Sequence, residues 1–282
     1  MAMERFASFD GTEIAYRIVG DGQPLVCLPG GPGRAADYLG DLGGLSKSRR
    51  LVLLDPRGVG LSSDPADPAT FRVDRLVGDV ESLRDHLGLD QMDLLAHSAG
   101  SVLGTLYAAA HPERLSALIL VTPGLTAVGV EGTEEQFGTV LARLAGEPWY
   151  PAAVAALDEI MAGRWSMEAF RDSRPLFYGR WDEAAQEHAT AGVAVRHQAA
   201  RQGYFAGVTF DVSAIRSALK RLAAPVLLYA GDLDPLVTPG MVREAAPLFG
   251  EAAAVVVQNG AGHFPWMDDP ASFAAAITSF LG

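Results

Sequence analysis

The sequence predicts an α/β fold with a mostly parallel sheet of eight strands and helices on both faces. Short, continuous apolar runs, which are typical of buried strands, alternate with stretches whose apolar residues recur at helical spacing. Such alternation is typical of a parallel sheet covered by helices. The alternation stops between residues 126 and 215, where helical stretches are broken at glycine and proline. We therefore predict that a helical subdomain is inserted into the α/β fold.

The predicted strands begin with a hairpin. Residues 4–9 and 12–19 alternate roughly between apolar and polar around Asp10-Gly11, a pair that favours tight hairpin turns. Six apolar runs complete the predicted sheet, at residues 24–28, 50–54, 92–96, 118–121, 225–230 and 253–257. Helices are predicted at residues 73–87, 99–110, 239–249 and 270–281.

Composition narrows the classes of partner. The chain has 282 residues and a formal net charge of −12, which disfavours nucleic acid and anionic membranes, because both are bound through clustered Lys and Arg. The lone cysteine, Cys27, allows no disulfide within the chain and no thiolate metal cluster. The N-terminal residues show no signal-peptide pattern, and no run of about 18 apolar residues occurs. We expect a cytoplasmic chain with a small-molecule substrate and no membrane partner.

Ser98 stands between the run 92–96 and the predicted helix 99–110. A sharp turn between a strand and a helix exposes a serine hydroxyl at the top of a sheet, and its usual pattern is G-x-S-x-G. Here Ala96 takes the place of the first glycine and Gly100 supplies the second. The pattern predicts a nucleophile; the alternative is a serine that caps the helix N-terminus.

A serine nucleophile needs a histidine to accept its proton, and the histidine needs an acid to orient it. Of six histidines, His263 follows a late predicted strand in a glycine-containing loop. Asp232 and Asp234 follow the run 225–230, and the residues alone do not choose between them. In parallel α/β sheets, ligands bind outside the carboxyl ends of the strands, so these loops are expected to meet.

The loop after the run 24–28 is rich in glycine. It lacks the G-x-G-x-x-G pattern and the P-loop lysine of phosphate-binding loops. An oxyanion that develops during acyl transfer requires two preset N–H donors. We predict that Gly31 supplies one and that Ala99, the residue after the nucleophile, supplies the other.

Five motifs together resemble the α/β-hydrolase fold family, and within it the proline iminopeptidase-like group. They are Pro29-Gly30-Gly31-Pro32-Gly33, Asp55-Pro56-Arg57-Gly58-Val59-Gly60-Leu61-Ser62, Ala96-His97-Ser98-Ala99-Gly100, Gly231-Asp232-Leu233-Asp234 and Gly262-His263. The resemblance implies that Asp234 is the acid of the triad. It also implies a core of residues 1–125 and 216–282 with a helical cap over the active site at 126–215.

The sequence also departs from that group. Pro29 replaces a histidine of the family pattern, and Ala96 and Ala99 replace a glycine and a tryptophan. The peptidases of the group carry a cap glutamate that pairs with the free amine of the substrate, and Arg201 stands in the most similar segment here. A cation there disfavours an ammonium group and suits a carboxylate, although a surface arginine is the simpler alternative.

The predicted function is that of a serine hydrolase with Ser98, His263 and Asp234 as its triad. We expect it to cleave an ester or amide bond of a small, apolar substrate through an acyl-enzyme, with no cofactor and no metal. Arg201, Tyr204 and Trp266 are the predicted substrate-binding residues. The alternatives are a prolyl aminopeptidase, an acyl-transfer or tailoring enzyme of small-molecule biosynthesis, and a ligand-binding protein without catalysis.

Overall fold

The computed structural model describes residues 2–164, 166–191, 197–250 and 252–282. The strands in this part of the chain are β1 (Ala2–Ala7), β2 (Glu13–Val19), β3 (Pro24–Leu28), β4 (Arg50–Leu54), β5 (Met92–His97), β6 (Leu115–Val121), β7 (Val226–Gly231) and β8 (Ala254–Gln258). The α-helices are α1 (Val73–His86), α2 (Gly100–Ala110), α3 (Glu134–Leu144), α4 (Tyr150–Met161), α5 (Met167–Asp172), α6 (Glu183–Ala191), α7 (Gln198–Gly203), α8 (Val212–Leu219), α9 (Pro239–Ala245), α10 (Pro265–Asp268) and α11 (Pro270–Leu281).

The strands form one sheet in the order β1-β2-β4-β3-β5-β6-β7-β8. The pairs β1–β2 and β2–β4 are antiparallel, and every later pair is parallel. The predicted mostly parallel, eight-stranded sheet is confirmed. Because the carboxyl ends of parallel strands lie at one edge, the loops after β3, β5, β7 and β8 meet there.

Both faces of the sheet are buried, which explains why its strands are continuous apolar runs. Successive residues of a strand point to opposite faces. In β5, Leu94 packs into the core that includes α1, α2, α8 and α9, and Leu95 packs into the opposite core with α10 and α11. Neither side chain is exposed. The sheet is therefore a rigid platform for the loops at its edge.

The insertion between β6 and β7 holds α3 to α8. It contains a small apolar cluster of its own, formed by Leu144, Ala153 and Leu176. Helix α8 packs against α2 and runs across residue 215. We propose the division into a core of residues 1–125 and 216–282 and a cap of residues 126–215, with α8 as the helix that joins them.

The loop after β3 lies very close to the start of α2. A Cβ atom on Gly100 would lie 2.4 Å from the carbonyl oxygen of Pro29 and 2.9 Å from that of Leu28. A Cβ atom on Gly30 would lie 2.8 Å from the Cβ atom of Ser98. Only glycine therefore fits at positions 30 and 100. The backbone of the loop after β3 and the backbone at the start of α2 are in contact beside Ser98.

The substitution Gly100→Ala should destabilise the protein by about 2 kcal/mol or more, because its methyl group would have to displace backbone carbonyl groups. Gly138→Ala in α3 is the matched control, since Gly138 is exposed and no atom lies within 4 Å of a Cβ atom there. It should stabilise the protein by about 0.5–1 kcal/mol. Urea unfolding measures both changes, and equal effects would contradict the argument.

Candidate active site

Ser98 lies at the sharp turn between β5 and α2. Its φ is +52°, in the left-handed region that costs a non-glycine residue energy. Three hydrogen bonds hold the turn. The Ser98 amide donates to the Val121 carbonyl at 3.0 Å, and the Ser98 carbonyl accepts from the amides of Ser101 and Gly124, each at 2.9 Å. The strained turn leaves Ser98 at the wall of a cavity.

Ala96, which replaces the first glycine of the usual pattern, is accommodated by α2. A Cβ atom on Gly104 would lie 3.1 Å from the Cβ atom of Ala96. The glycine at position 104 therefore leaves room for the Ala96 methyl group. The strand and the helix keep their close approach although one of the two glycines of the pattern is missing.

Ser98, His263 and Asp234 are joined by two hydrogen bonds. The Ser98 Oγ lies 2.8 Å from His263 Nε2, and His263 Nδ1 lies 2.7 Å from Asp234 Oδ2. Asp234 is completely buried, and its Oδ1 accepts a hydrogen bond from the Leu236 amide at 2.8 Å. The three residues come from the loops after β5, β7 and β8, as the sequence predicts.

The structure places Asp232 away from the histidine. Its side chain pairs with Arg143 of α3 at 2.7 Å, and it accepts a hydrogen bond from the Gly260 amide at 2.6 Å. Asp232 lies only two positions before Asp234, yet their partners differ completely. Asp232 therefore links the insertion to the loop before His263, and Asp234 contacts His263 itself.

The backbone of His263 is fixed at both ends. Its amide donates to the carbonyl of Phe177 in the insertion at 2.8 Å. Its carbonyl accepts hydrogen bonds from Thr122 Oγ1 at 3.0 Å and from His97 Nε2 at 2.9 Å. Because the backbone of His263 is fixed, its imidazole ring needs little reorganisation when it receives a proton.

A chain of hydrogen bonds through His97 holds the backbone carbonyl of His263. The Gly30 amide donates to Tyr38 Oη at 2.7 Å, and Tyr38 Oη lies 2.7 Å from His97 Nδ1. Tyr38 thus donates its proton to Nδ1, and His97 carries its own proton on Nε2, which donates to the His263 carbonyl. Burial, reinforced by the charge of a protonated His263, holds the pKa of His97 well below its usual value. His97 therefore holds the His263 carbonyl as a neutral imidazole.

Gly31 and Ala99 line the same cavity as Ser98. Gly31 has a φ of +113°, which glycine tolerates. Among the described residues, neither amide N–H donates a hydrogen bond. Ala99 directly precedes the first residue of α2, where amides have no partner within the helix. The two amides that the sequence predicts as oxyanion donors are thus available.

A cavity of about 230 Å³ opens over Ser98 and His263. Aromatic and aliphatic side chains from the insertion and from the loops of the sheet form most of its wall. Those from the insertion are Phe170, Phe177, Tyr178 and Ala189, and those from the loops are Tyr38, Leu236 and Phe264. A cavity of about 150 Å³ is enough to hold benzene, so this one fits a group somewhat larger than one aromatic ring.

Two arginines complete the cavity wall. Arg34 follows the glycine-rich loop after β3, and Arg174 lies in the insertion. Both are buried. Burial lowers the pKa of each guanidinium, although an arginine remains charged at every relevant pH. No motif in the sequence singles out these two arginines; the one available signal is that Arg34 directly follows the glycine-rich loop that contains Gly31.

The three predicted substrate-binding residues lie elsewhere in the described structure. Trp266 is buried at 2% exposure and packs against His97 from the side of a neighbouring cavity. Tyr204 donates a hydrogen bond to the Ala99 carbonyl at 2.9 Å, behind the nucleophile turn. Arg201 lies on α7, near Gly33. None of them is among the described residues that line the cavity over Ser98, so a substrate contact for them stays a prediction.

His188 joins the insertion to the cavity wall and predicts a pH-dependent stability. Its Nε2 donates to the Tyr38 carbonyl at 2.9 Å, and its Nδ1 lies 2.8 Å from Tyr178 Oη. Burial lowers the pKa of His188 to about 4. The unfolded chain binds a proton at this residue below about pH 6.5. The stability that neutral His188 contributes is therefore present above pH 6.5 and is lost as the pH falls towards 4.

We expect the difference in unfolding free energy between the wild type and His188→Gln to shrink by up to about 3 kcal/mol between pH 7 and pH 4. Urea unfolding at a series of pH values measures it. Burial raises the pKa of Asp268 to about 6. This shift stabilises the folded protein as the pH falls, which is the opposite of the effect at His188. That contribution is common to both proteins and cancels in the difference. A difference that is constant with pH would contradict the prediction.

Comparison with known proteins identifies the family. Residues 23–270 match the model of the alpha/beta hydrolase fold family. The chain belongs to this family. The proline iminopeptidase of Levilactobacillus brevis is 25% identical over 295 aligned residues, which cover 99% of this chain and 96% of that protein. The proline iminopeptidases of Lactobacillus helveticus and Heyndrickxia coagulans are 41% and 33% identical, but only over 40% and 45% of each chain. The chain thus matches less than half the length of these two relatives.

Solved structures of hydrolases share the fold over the whole chain. An esterase from Rhodococcus sp. ECU1013 gives a TM-score of 0.74 at 23% identity and covers 100% of this chain and 98% of its own. A hydrolase from Pseudomonas aeruginosa PA01 gives 0.69 at 25% identity, with 99% and 98% covered. The prediction of a hydrolase with the α/β-hydrolase fold is confirmed.

Two kinds of feature are absent from the described residues. No helix there is both long and apolar enough to cross a bilayer. No cluster of three or more His, Cys, Asp or Glu side chains in the described ranges is arranged to hold a metal ion.

Proposed function

We propose that the protein is a serine hydrolase that cleaves an ester bond of a small, mainly apolar substrate. The observation that carries this proposal is the hydrogen-bonded chain Ser98–His263–Asp234 at the wall of a cavity that the insertion covers. A serine hydroxyl becomes an effective nucleophile when an adjacent histidine accepts its proton. The buried carboxylate of Asp234 fixes the tautomer of His263 and stabilises the imidazolium.

Acylation begins when Ser98 Oγ attacks the carbonyl carbon and its proton passes to His263 Nε2. The carbonyl oxygen becomes an oxyanion, and the amides of Gly31 and Ala99 donate hydrogen bonds to it. Their N–H groups have no other partner among the described residues, so no hydrogen bond has to be broken first. The tetrahedral intermediate then collapses, and His263 gives its proton to the leaving alkoxide.

Deacylation repeats these steps with water. His263 accepts a proton from the water as its oxygen attacks the acyl carbon, and the same two amides hold the second oxyanion. The proton then returns to Ser98 Oγ as the acid leaves. The hydrogen bonds that hold the His263 carbonyl keep the ring between Ser98 and Asp234 throughout.

The prolyl aminopeptidase alternative is supported by the names of the relatives, which are proline iminopeptidases. The cavity does not favour it. A free amine requires an acidic partner, and the described lining residues include two arginines and no carboxylate. Two cations in a low-dielectric cavity repel an ammonium group. An ester of an acid or alcohol without a free amine fits the cavity better.

Labelling with a fluorophosphonate tests the proposal. We expect one adduct per chain by intact mass, mapped to the peptide that contains Ser98, and faster hydrolysis of p-nitrophenyl butyrate than of proline p-nitroanilide. Faster cleavage of the anilide would favour the aminopeptidase. An adduct combined with acyl transfer to an added alcohol would favour a transferase. No adduct and no turnover in the folded protein would overturn the proposal in favour of a ligand-binding protein.

A further inference from the structure

Two buried guanidiniums in the cavity wall lack the partners that a buried cation normally has. Arg34 is 6% exposed and Arg174 is 7% exposed. The buried Nε and Nη2 of Arg34 and the buried Nε of Arg174 have no hydrogen-bond partner in the described structure. Buried polar groups are almost always hydrogen-bonded, and buried charges are almost always paired. Three orphaned donors in one cavity wall therefore require an explanation.

Aromatic rings stabilise the two cations but do not satisfy their N–H groups. The guanidinium carbon of Arg34 lies 3.7 Å from the centre of the Tyr38 ring and 5.8 Å from that of Phe264. The guanidinium carbon of Arg174 lies 5.1 Å from the centre of the Phe170 ring. Stacking uses the face of a guanidinium. Its N–H groups lie in the plane at the edge and remain available to a ligand.

No described carboxylate neutralises this pair within hydrogen-bonding distance. Asp234 is engaged by His263 and the Leu236 amide. Asp37 lines the neighbouring cavity and acts on Arg34 only over a longer distance. The charges of Arg34 and Arg174 also disfavour each other. An anion placed between them would relieve this repulsion and supply the missing acceptors.

We propose that the substrate carries a carboxylate, which Arg34 and Arg174 bind while its ester carbonyl lies at Ser98. The inference rests on the proposed function, since it names the substrate class of that site. A carboxylate has two oxygens in one plane and matches the planar fork of a guanidinium. Both arginines and Ser98 line the same cavity of about 230 Å³. The acid and the ester must therefore be a few bonds apart, with an apolar spacer against the aromatic wall.

Two pairs of esters test the proposal, because the carboxylate can belong to the acyl group or to the alcohol. The first pair is monomethyl adipate and methyl hexanoate, and the second is 4-acetoxybenzoate and 4-acetoxytoluene. The variants are Arg34→Gln and Arg174→Gln, with Arg34→Lys as a partial rescue of charge. Arg171→Gln is the matched control, since Arg171 lies in the same segment, pairs with Asp172 and is 64% exposed.

We expect kcat/KM for the charged member of one pair to fall about 10- to 100-fold in each glutamine variant, the range that hydrogen bonds to a charged group give. The neutral member should change less than about 3-fold, and Arg171→Gln should change neither. Arg34→Lys should recover part of the loss. Equal losses on charged and neutral esters, or none on either, would overturn the proposal and leave the arginines a structural role.

A binding measurement separates this inference from the catalytic proposal. Isothermal titration of Ser98→Ala with benzoate and with benzamide requires no turnover. We expect benzoate to bind and benzamide to bind at least about 10-fold more weakly, and we expect Arg34→Gln in that background to remove the difference. If fluorophosphonate labelling fails but benzoate binds in this way, only the catalytic proposal is overturned. If labelling succeeds and neither compound is preferred, the carboxylate inference alone is overturned.

Discussion

Replacing Ser98 with alanine should reduce ester hydrolysis by about 10⁴-fold or more. The substitution removes the only atom that forms the acyl-enzyme bond and leaves the amides of Gly31 and Ala99 in place. The hydroxyl bonds to His263 and to no other described group, so the core should keep its packing. The left-handed φ of +52° is as costly for alanine as for serine. We therefore expect the melting temperature to change by only a few degrees.

Ser101→Ala provides the matched control. Ser101 lies three residues further on, in the first turn of α2, and its buried hydroxyl donates to the Ala96 carbonyl at 2.9 Å. Its loss should cost about 1 kcal/mol of stability and leave kcat/KM within a few-fold of the wild type. Initial rates with p-nitrophenyl butyrate and thermal unfolding measure both variants. Turnover by Ser98→Ala above about 1% of the wild-type rate would exclude Ser98 as the nucleophile.

The fold was predictable because the sheet is buried on both faces. A strand such as β5 must then be apolar at successive residues, and Leu94 and Leu95 occupy opposite cores. The alternation of such runs with helical stripes predicts the parallel sheet. The loops that carry Ser98, His263 and the acid follow from the same logic, because each loop follows a strand and the strand ends meet at one edge. The residues alone did not choose between Asp232 and Asp234; the resemblance to the family implied Asp234.

The wall of the cavity was not predictable in the same way. Arg174 approaches Ser98 only because the insertion folds over the sheet, and its sequence neighbours give no sign of that contact. The resemblance to the peptidases suggests Arg201 as a substrate-binding cation, and this stays a prediction. The two arginines that line the cavity over Ser98 are Arg34 and Arg174, which no motif singled out. Helical insertions lack the strand register that fixes where a side chain points.

Replacing Asp234 with asparagine should reduce kcat by about 10³- to 10⁴-fold with little loss of stability. The Leu236 amide donates to one carboxylate oxygen of Asp234, so the asparagine must keep its carbonyl oxygen at that position. Its NH₂ group then faces His263 Nδ1 as a donor. His263 has to accept that hydrogen bond and carry its own proton on Nε2, which leaves no lone pair to take the proton of Ser98.

Asp232→Asn is the control, because it changes the same residue type two positions away. Asp232 is buried, but its partner Arg143 is 49% exposed and also donates to the Asp232 backbone carbonyl at 2.9 Å, a hydrogen bond that the substitution keeps. The Gly260 amide can still donate to an asparagine oxygen at this position. We expect Asp232→Asn to retain most of its activity in the same p-nitrophenyl butyrate assay. Because the two variants remove the same charge from one loop, similar losses would mean that loop structure, and not the tautomer of His263, limits the reaction.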